Sequence, residues 1–292
     1  MKRIFNVLAI VLVSSTVFYS CSDESINTQD EVSPEVLSMM VDAGFNLDIQ
    51  TPMVFEDGYL VERDIYVTNE SLAQMSEGSR IPNLEQYSTN NLVNAGGGRV
   101  ITIYAPESSS ARGHKGGGGK PGGGGGTYSP GMIAGLDLAI ARYNAENLSL
   151  SFQRVTSSAG ADIVMTRLSK RDERQGVLGS AGFPSASGDP YGEIKMSGVL
   201  ESNYGLSTGG IATIIGHEIG HCIGFRHTDY FDRSISCGGG TSNEGDGGVG
   251  ANWIPGTPTG ASAADNSYML ACTDGSDRPY NADDKTALDY LY

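Results

Sequence analysis

Basic side chains are scarce in this 292-residue chain, where 19 Lys and Arg stand against 34 Asp and Glu for a formal net charge of −15. Such a balance argues against nucleic acid or anionic lipid as a partner and for a solvated surface. Histidine and cysteine occur four times each and tryptophan once, so a disulfide-dense scaffold is excluded. Long apolar runs are also missing, apart from Ile4 to Phe18, which follows Lys2 and Arg3 and reads as an export signal over residues 1–20. Glycine, by contrast, is abundant at 41 residues. Ten of these lie in Gly113–Gly126, a tract too poor in side chains to pack, in which His114 is expected to be exposed and without a role.

The few histidines are concentrated. His217, Glu218, His221, Gly224 and His227 fall within the stretch HEIGHCIGFRH. On an α-helix, residues four apart lie about 40° apart around the axis, so His217 and His221 can direct their imidazoles at one ion. Glu218 sits beside them and can serve as a general base toward water at that ion. If the helix continued, His227 would lie roughly 240° round from His221, so the chain must turn. Gly224 permits this turn, because a left-handed cap is nearly free for glycine and costly for a residue with a Cβ. Three neutral imidazoles with one open position make a catalytic rather than a structural zinc site. Five matched positions arise by chance on the order of once in 10^5 chains of this length.

Cys21 directly after a small residue resembles a bacterial lipoprotein cleavage site, which implies an exported protein tethered at the cell envelope or surface, or secreted. Of the remaining cysteines, Cys222 falls on the helix stripe of Ile211, Ile214, Ile215 and Ile219 and is expected to face the core. Cys237 and Cys272 are then the expected disulfide, with Cys222 to Cys237 still geometrically possible.

Residues 21–95 read as a polar tether followed by an N-terminal module, with a helix at Val36–Met40 and a strand over Tyr59–Val67. Gly96 to Gly98 mark a break, and Arg99–Tyr104 alternates as a strand, so a catalytic domain is expected over 96–292. Ser129 and Pro130 open a helix over 130–145, strands follow near Leu148–Phe152 and Ala161–Thr166, and Asn281 caps a final helix. In the glycine-rich stretch Gly238–Gly250, Asn243, Glu244 and Asp246 are candidate calcium ligands, although the spacing fits no EF-hand loop and a mobile loop is the favoured reading.

The HExxHxxGxxH pattern resembles the metzincin clan of zinc endopeptidases. HEIGH followed by Phe225, Arg226, His227, Thr228 and Asp229 resembles the bacterial dual-action HEIGH metallopeptidases, and Gly224, Phe225, His227, Asp232 and Arg233 are also similar to the astacins. The resemblance covers residues 99 to 292. It implies an α+β zincin-like fold: a twisted mixed sheet, an upper helix, an active-site zinc helix, a Met-turn and a C-terminal helix. It makes Met269, within Ser267–Leu270, the Met-turn residue. It makes Gly192–Val199, with Glu193, Ile194, Lys195 and Met196, the edge strand that binds extended peptide. It also implies that the N-terminal module is a propeptide, with Asp57 or Asp64 as the residue blocking zinc. Where astacins carry a zinc-side tyrosine this chain has Ala271, and the resemblance does not say whether Tyr268 or Tyr280 substitutes for it. Asp229, Asp232 and Arg233 are candidates for orienting the ligands. The expected reaction is hydrolysis of an internal peptide bond in a protein or peptide by a monomer. The rivals are a surface lipoprotein with a non-catalytic zinc site and a zinc hydrolase of a non-peptide bond.

Overall fold

The computed structural model describes residues 31–42, 45, 47, 51–69, 72, 86–108, 126–241, 243–244, 249–260, 262 and 265–292. The export signal, Cys21, His114 and Asp246 lie outside these residues.

Ten strands and six helices are formed among the described residues. In chain order they begin with α1 (Pro34–Asp42), β1 (Met53–Phe55), β2 (Gly58–Val61), β3 (Ile65–Val67), β4 (Tyr87–Ser88) and β5 (Arg99–Tyr104). Next come α2 (Pro130–Ala145), β6 (Leu150–Val155), β7 (Ile163–Arg167), α3 (Lys170–Arg174), β8 (Gly179–Ala181), β9 (Glu193–Met196) and α4 (Thr208–Ile223). The chain closes with α5 (Ser234–Cys237), β10 (Asn252–Trp253) and α6 (Ala282–Leu291). None of the helices is long and apolar enough to cross a membrane.

The expected helix over 130–145 is α2, where the Ser129 hydroxyl accepts from the Met132 amide and Pro130 occupies the first turn. Its buried face carries Met132, Ile133, Leu136, Ala139, Ile140 and Tyr143. It packs on α4 through Gly135, where a Cβ would stand only 2.4 Å from Ile211 Cγ2. Ile214, Ile215 and Ile219 of α4 share one core with Ile101, Ile103, Met165 and Ile194 of the sheet beneath. Asn281 and Asp284 cap α6 reciprocally.

One mixed sheet has the order β1-β2-β3-β8-β9-β7-β5-β6. The β5, β6, β7 and β9 strands run parallel, and β8 runs antiparallel to β9. β3 then joins β8 in parallel register at Ile65↔Ala181. β1, β2 and β3, from the expected N-terminal module, thus lie in the same sheet as β5 to β9. That end of the sheet is held by Lys195, which pairs with Glu56 and lies 5.2 Å from the ring centre of Phe55 and 4.7 Å from that of Tyr66.

Two strand assignments need correction. Tyr59–Val67 is a hairpin, not one strand, because the chain reverses at Glu62, Arg63 and Asp64 to pair Val61 with Ile65. Glu193–Met196 is not an edge strand. It is paired on both sides, and Ile194, Lys195 and Met196 are buried. The strand that lines the cavity beside His217 and Glu218 is β8, whose Gly-Ser-Ala sequence carries no apolar alternation to reveal it.

Candidate metal centre

α4 begins at Ser207, whose hydroxyl accepts from the Gly210 amide, and Gly210 to Ile223 are all buried. It ends at Gly224, where φ is +108° and a Cβ would also approach Thr89 Oγ1 and Leu92. The turn returns His227 to the helix. Ring centres then lie 4.6 Å apart for His217 and His221, 5.1 Å for His217 and His227, and 4.9 Å for His221 and His227.

Each imidazole is oriented from behind. Nδ1 of His217 is 2.9 Å from the Tyr268 carbonyl, and Nδ1 of His221 is 2.8 Å from the Phe225 carbonyl. Nδ1 of His227 is 2.6 Å from Glu244 Oε1. A carbonyl or carboxylate oxygen can only accept, so each Nδ1 carries hydrogen and each Nε2 is turned inward. The Nε2 atoms of His217 and His221 are buried without a hydrogen-bond partner among the described residues. Inward nitrogens that receive no hydrogen bond are what a metal ion would satisfy, so the donor set fits one.

Asp64 completes the group: its carboxylate and one nitrogen from each of the three histidines lie within 4.8 Å of one another. Asp64 Oδ2 is 3.0 Å from His227 Nε2 and 3.5 Å from His217 Nε2. Asp57, the other expected blocker, is elsewhere and accepts from the Tyr66 hydroxyl. Burial opposes a charge on His227, but Asp64 and Glu244 outweigh it and push its pKa up to about 10. Without metal, His227 is thus an imidazolium between two carboxylates. Zinc uptake at pH 8 should therefore release on the order of one proton per ion, read from calorimetry in buffers of different ionisation heat. Zinc uptake independent of buffer would show that His227 is already neutral.

Glu244 was a candidate calcium ligand, but it serves the histidine cluster instead. Fully buried, it receives His227 Nδ1 and pairs with Arg233 at 2.9 Å and Arg226 at 3.3 Å. Burial alone would raise its pKa, yet the surrounding cations hold it at about 2. We expect Glu244→Gln to weaken zinc binding by about 10- to 100-fold, measured by competition with a chromogenic chelator. Unchanged affinity would remove Glu244 from the site.

Glu218 is buried, and burial followed by repulsion from Asp64 raises its pKa well above the usual carboxylate range. One of its oxygens, Oε2, has no hydrogen-bond partner among the described residues. β8 packs directly on the carboxylate, since a Cβ at Gly179 would lie 2.3 Å from Glu218 Oε1. Beside His217 and Glu218 opens a cavity of about 160 Å³, walled by Val177, Leu178, Ile214 and Leu270.

The turn at Ser267–Leu270 passes beneath the helix, and Met269 packs so closely on Gly220 that a Cβ there would meet its sulfur at 2.5 Å. Asp284 holds this turn, accepting from the Ser267 hydroxyl at 2.5 Å and from Gln86 at 2.7 Å. Tyr268 and Tyr280 do not replace the missing tyrosine. Their rings are buried and pack on each other and on Tyr143. Asp229 accepts from the Ser236 hydroxyl and the Ala271 amide, and Asp232 accepts from Ser234. Arg233, of the three expected orienting residues, reaches a ligand through Glu244. Cys237 and Cys272 are joined, while Cys222 is buried and free.

Two imidazoles and a carboxylate on one helix, with a third imidazole brought back by the turn at Gly224, are the arrangement expected of a metallopeptidase. The model of the dual-action HEIGH metallo-peptidase family matches residues 59–292, and the chain belongs to that family. It is accordingly a hydrolase whose substrates are proteins or peptides. No curated protein sequence matches the chain.

Proposed function

We propose that the chain is a zinc endopeptidase held latent by its own β2–β3 turn. The observation that carries this reading is the convergence of three Nδ1-locked histidines on the Asp64 carboxylate. His217, His221 and His227 would hold zinc. When bound, zinc acts as a Lewis acid that makes water acidic and polarises the scissile carbonyl. Glu218 takes the proton from the attacking water and delivers it to the leaving amine, a role suited to a buried carboxylate with a free oxygen. Extended peptide pairs with β8 on the side now taken by β3, and the cavity beside His217 receives one of its side chains. Met269 serves as the floor of the site.

The latent form follows from the same contacts. Asp64 occupies the position that substrate and water need, and β3 covers the strand that substrate would pair with. A second reading has one observation in its favour: a site closed by a fourth protein ligand is the structural type. The decisive comparison uses the full chain with Asp64→Ala, loaded with zinc, on unfolded casein with and without a chelator. Cleavage at several positions that the chelator abolishes supports the peptidase; zinc retained in both chains with no cleavage by either would sink it.

The reading includes export, which the Cys237–Cys272 disulfide supports as a bond of oxidising compartments, and tethering through a lipidated Cys21. Fatty-acid labelling that persists after Cys21→Ser would rule the tether out.

A further inference from the structure

The β2–β3 turn buries two carboxylates, Asp64 within reach of all three imidazoles and Glu62 beside His227 alone among them. Glu62 and Arg63 take φ values of +53° and +82°, conformations that residues with a Cβ rarely adopt. The effect is to bury Glu62 against Arg226 and Arg233. Glu62 Oε2 lies 3.5 Å from Arg226 Nη2, and the Glu62 carbonyl accepts from Arg233 Nη1 at 2.7 Å. An oxygen of Glu62 and one of Glu244 stand within 4.8 Å of each other and of a His227 nitrogen, so this pocket adjoins the metal centre.

The fit is one of charge rather than of hydrogen bonds. Neither carboxylate oxygen of Glu62 receives a hydrogen bond among the described residues, and Nε and Nη2 of Arg233 find no acceptor there. Two guanidinium groups thus form a cationic cup in which Glu62 sits loosely. Glu244 lies on its other side, already accepting from His227. When the turn withdraws, Glu62 and its carbonyl go with it, and Arg226 and Arg233 lose an acidic partner while keeping Glu244. A buried charge stripped of its partner is strongly destabilising, so an anionic group that fills the cup binds at an advantage.

We propose that Arg226 and Arg233 form a carboxylate-receiving subsite beside the metal, filled by Glu62 in the latent chain and by an Asp or Glu side chain of the substrate after release. The proposal rests on the latent-peptidase reading above for its second half, and on the contacts of Glu62 for its first. A substrate whose acidic residue lies near the scissile bond would be selected over its amide counterpart, because only the carboxylate neutralises the cup.

The two halves are tested separately in the full chain. Glu62→Ala empties the cup, and sodium acetate should raise its melting temperature roughly 2–4 °C more than sodium chloride of equal ionic strength, with no such gain for the unmodified chain. In the isosteric double variant Glu62→Gln, Asp64→Asn, paired peptides that differ only as Asp/Asn or Glu/Gln should differ in kcat/KM by at least about tenfold in favour of the acid. This second comparison decides alone if Glu62→Ala does not fold. Equal cleavage of acid and amide peptides, with Arg233→Gln slowing both alike, overturns the proposal and makes Arg233 a ligand of substrate carbonyls. Acetate stabilisation without cleavage of any peptide supports the carboxylate site and instead defeats the peptidase reading.

Discussion

Glu218→Gln is expected to keep the zinc content of the unmodified chain while lowering casein cleavage by about 10²- to 10⁴-fold, the usual contribution of a positioned general base. The residue makes no hydrogen bond that fixes a histidine, since all three Nδ1 atoms are held by Tyr268, Phe225 and Glu244. Its loss should therefore spare the metal site. Glutamine keeps the shape that Gly179 leaves for this side chain, so packing against β8 should survive as well. The measurement is zinc stoichiometry beside kcat in the Asp64→Ala background. Loss of zinc together with activity would assign Glu218 a structural part; retained activity would assign the proton transfer to another group.

Asp64→Ala in the full chain is expected to raise cleavage at least tenfold over the unmodified chain. Asp64 has a folded pKa well below the usual range: burial opposes its charge, but His227 and the other histidines overcome this, so the carboxylate is firmly ionised. An ionised carboxylate among three imidazoles competes with water and substrate for the same coordination position. Its removal also withdraws one of the causes that raise the pKa of Glu218, so the base is more readily ionised in the variant. Activity that stays at the background level while zinc dissociates would favour the closed structural site instead.

Much of the catalytic half was legible because its signals are local. His217, Glu218 and His221 share one face through the helical repeat, and Gly224 announces the turn that recovers His227. Ser129–Pro130 and Asn281 mark helix starts through their own capping chemistry, and the structure places α2 and α6 there. The hairpin escaped because Tyr59, Leu60 and Val61 continue into Ile65, Tyr66 and Val67 as β-favouring residues, with no glycine or asparagine at the reversal. Its left-handed residues are Glu62 and Arg63, stabilised by contacts that lie far away in sequence. β8 escaped for a different reason, since three small residues give no period to detect.

The sequence by itself placed three histidines, the carboxylate beside them and the helix end through residue chemistry at short spacing, and it favoured Cys237 with Cys272 over Cys222 with Cys237. Asp64, as one of two candidate latches, came from the resemblance to the metzincins. Only the tertiary structure decided that Asp64 rather than Asp57 meets the histidines, that Glu244 orients His227 instead of binding calcium, and that β8 rather than β9 lines the cavity beside His217 and Glu218. Those outcomes depend on contacts between segments separated by up to about half the chain, where no local period or capping rule acts and burial of charge selects the partner.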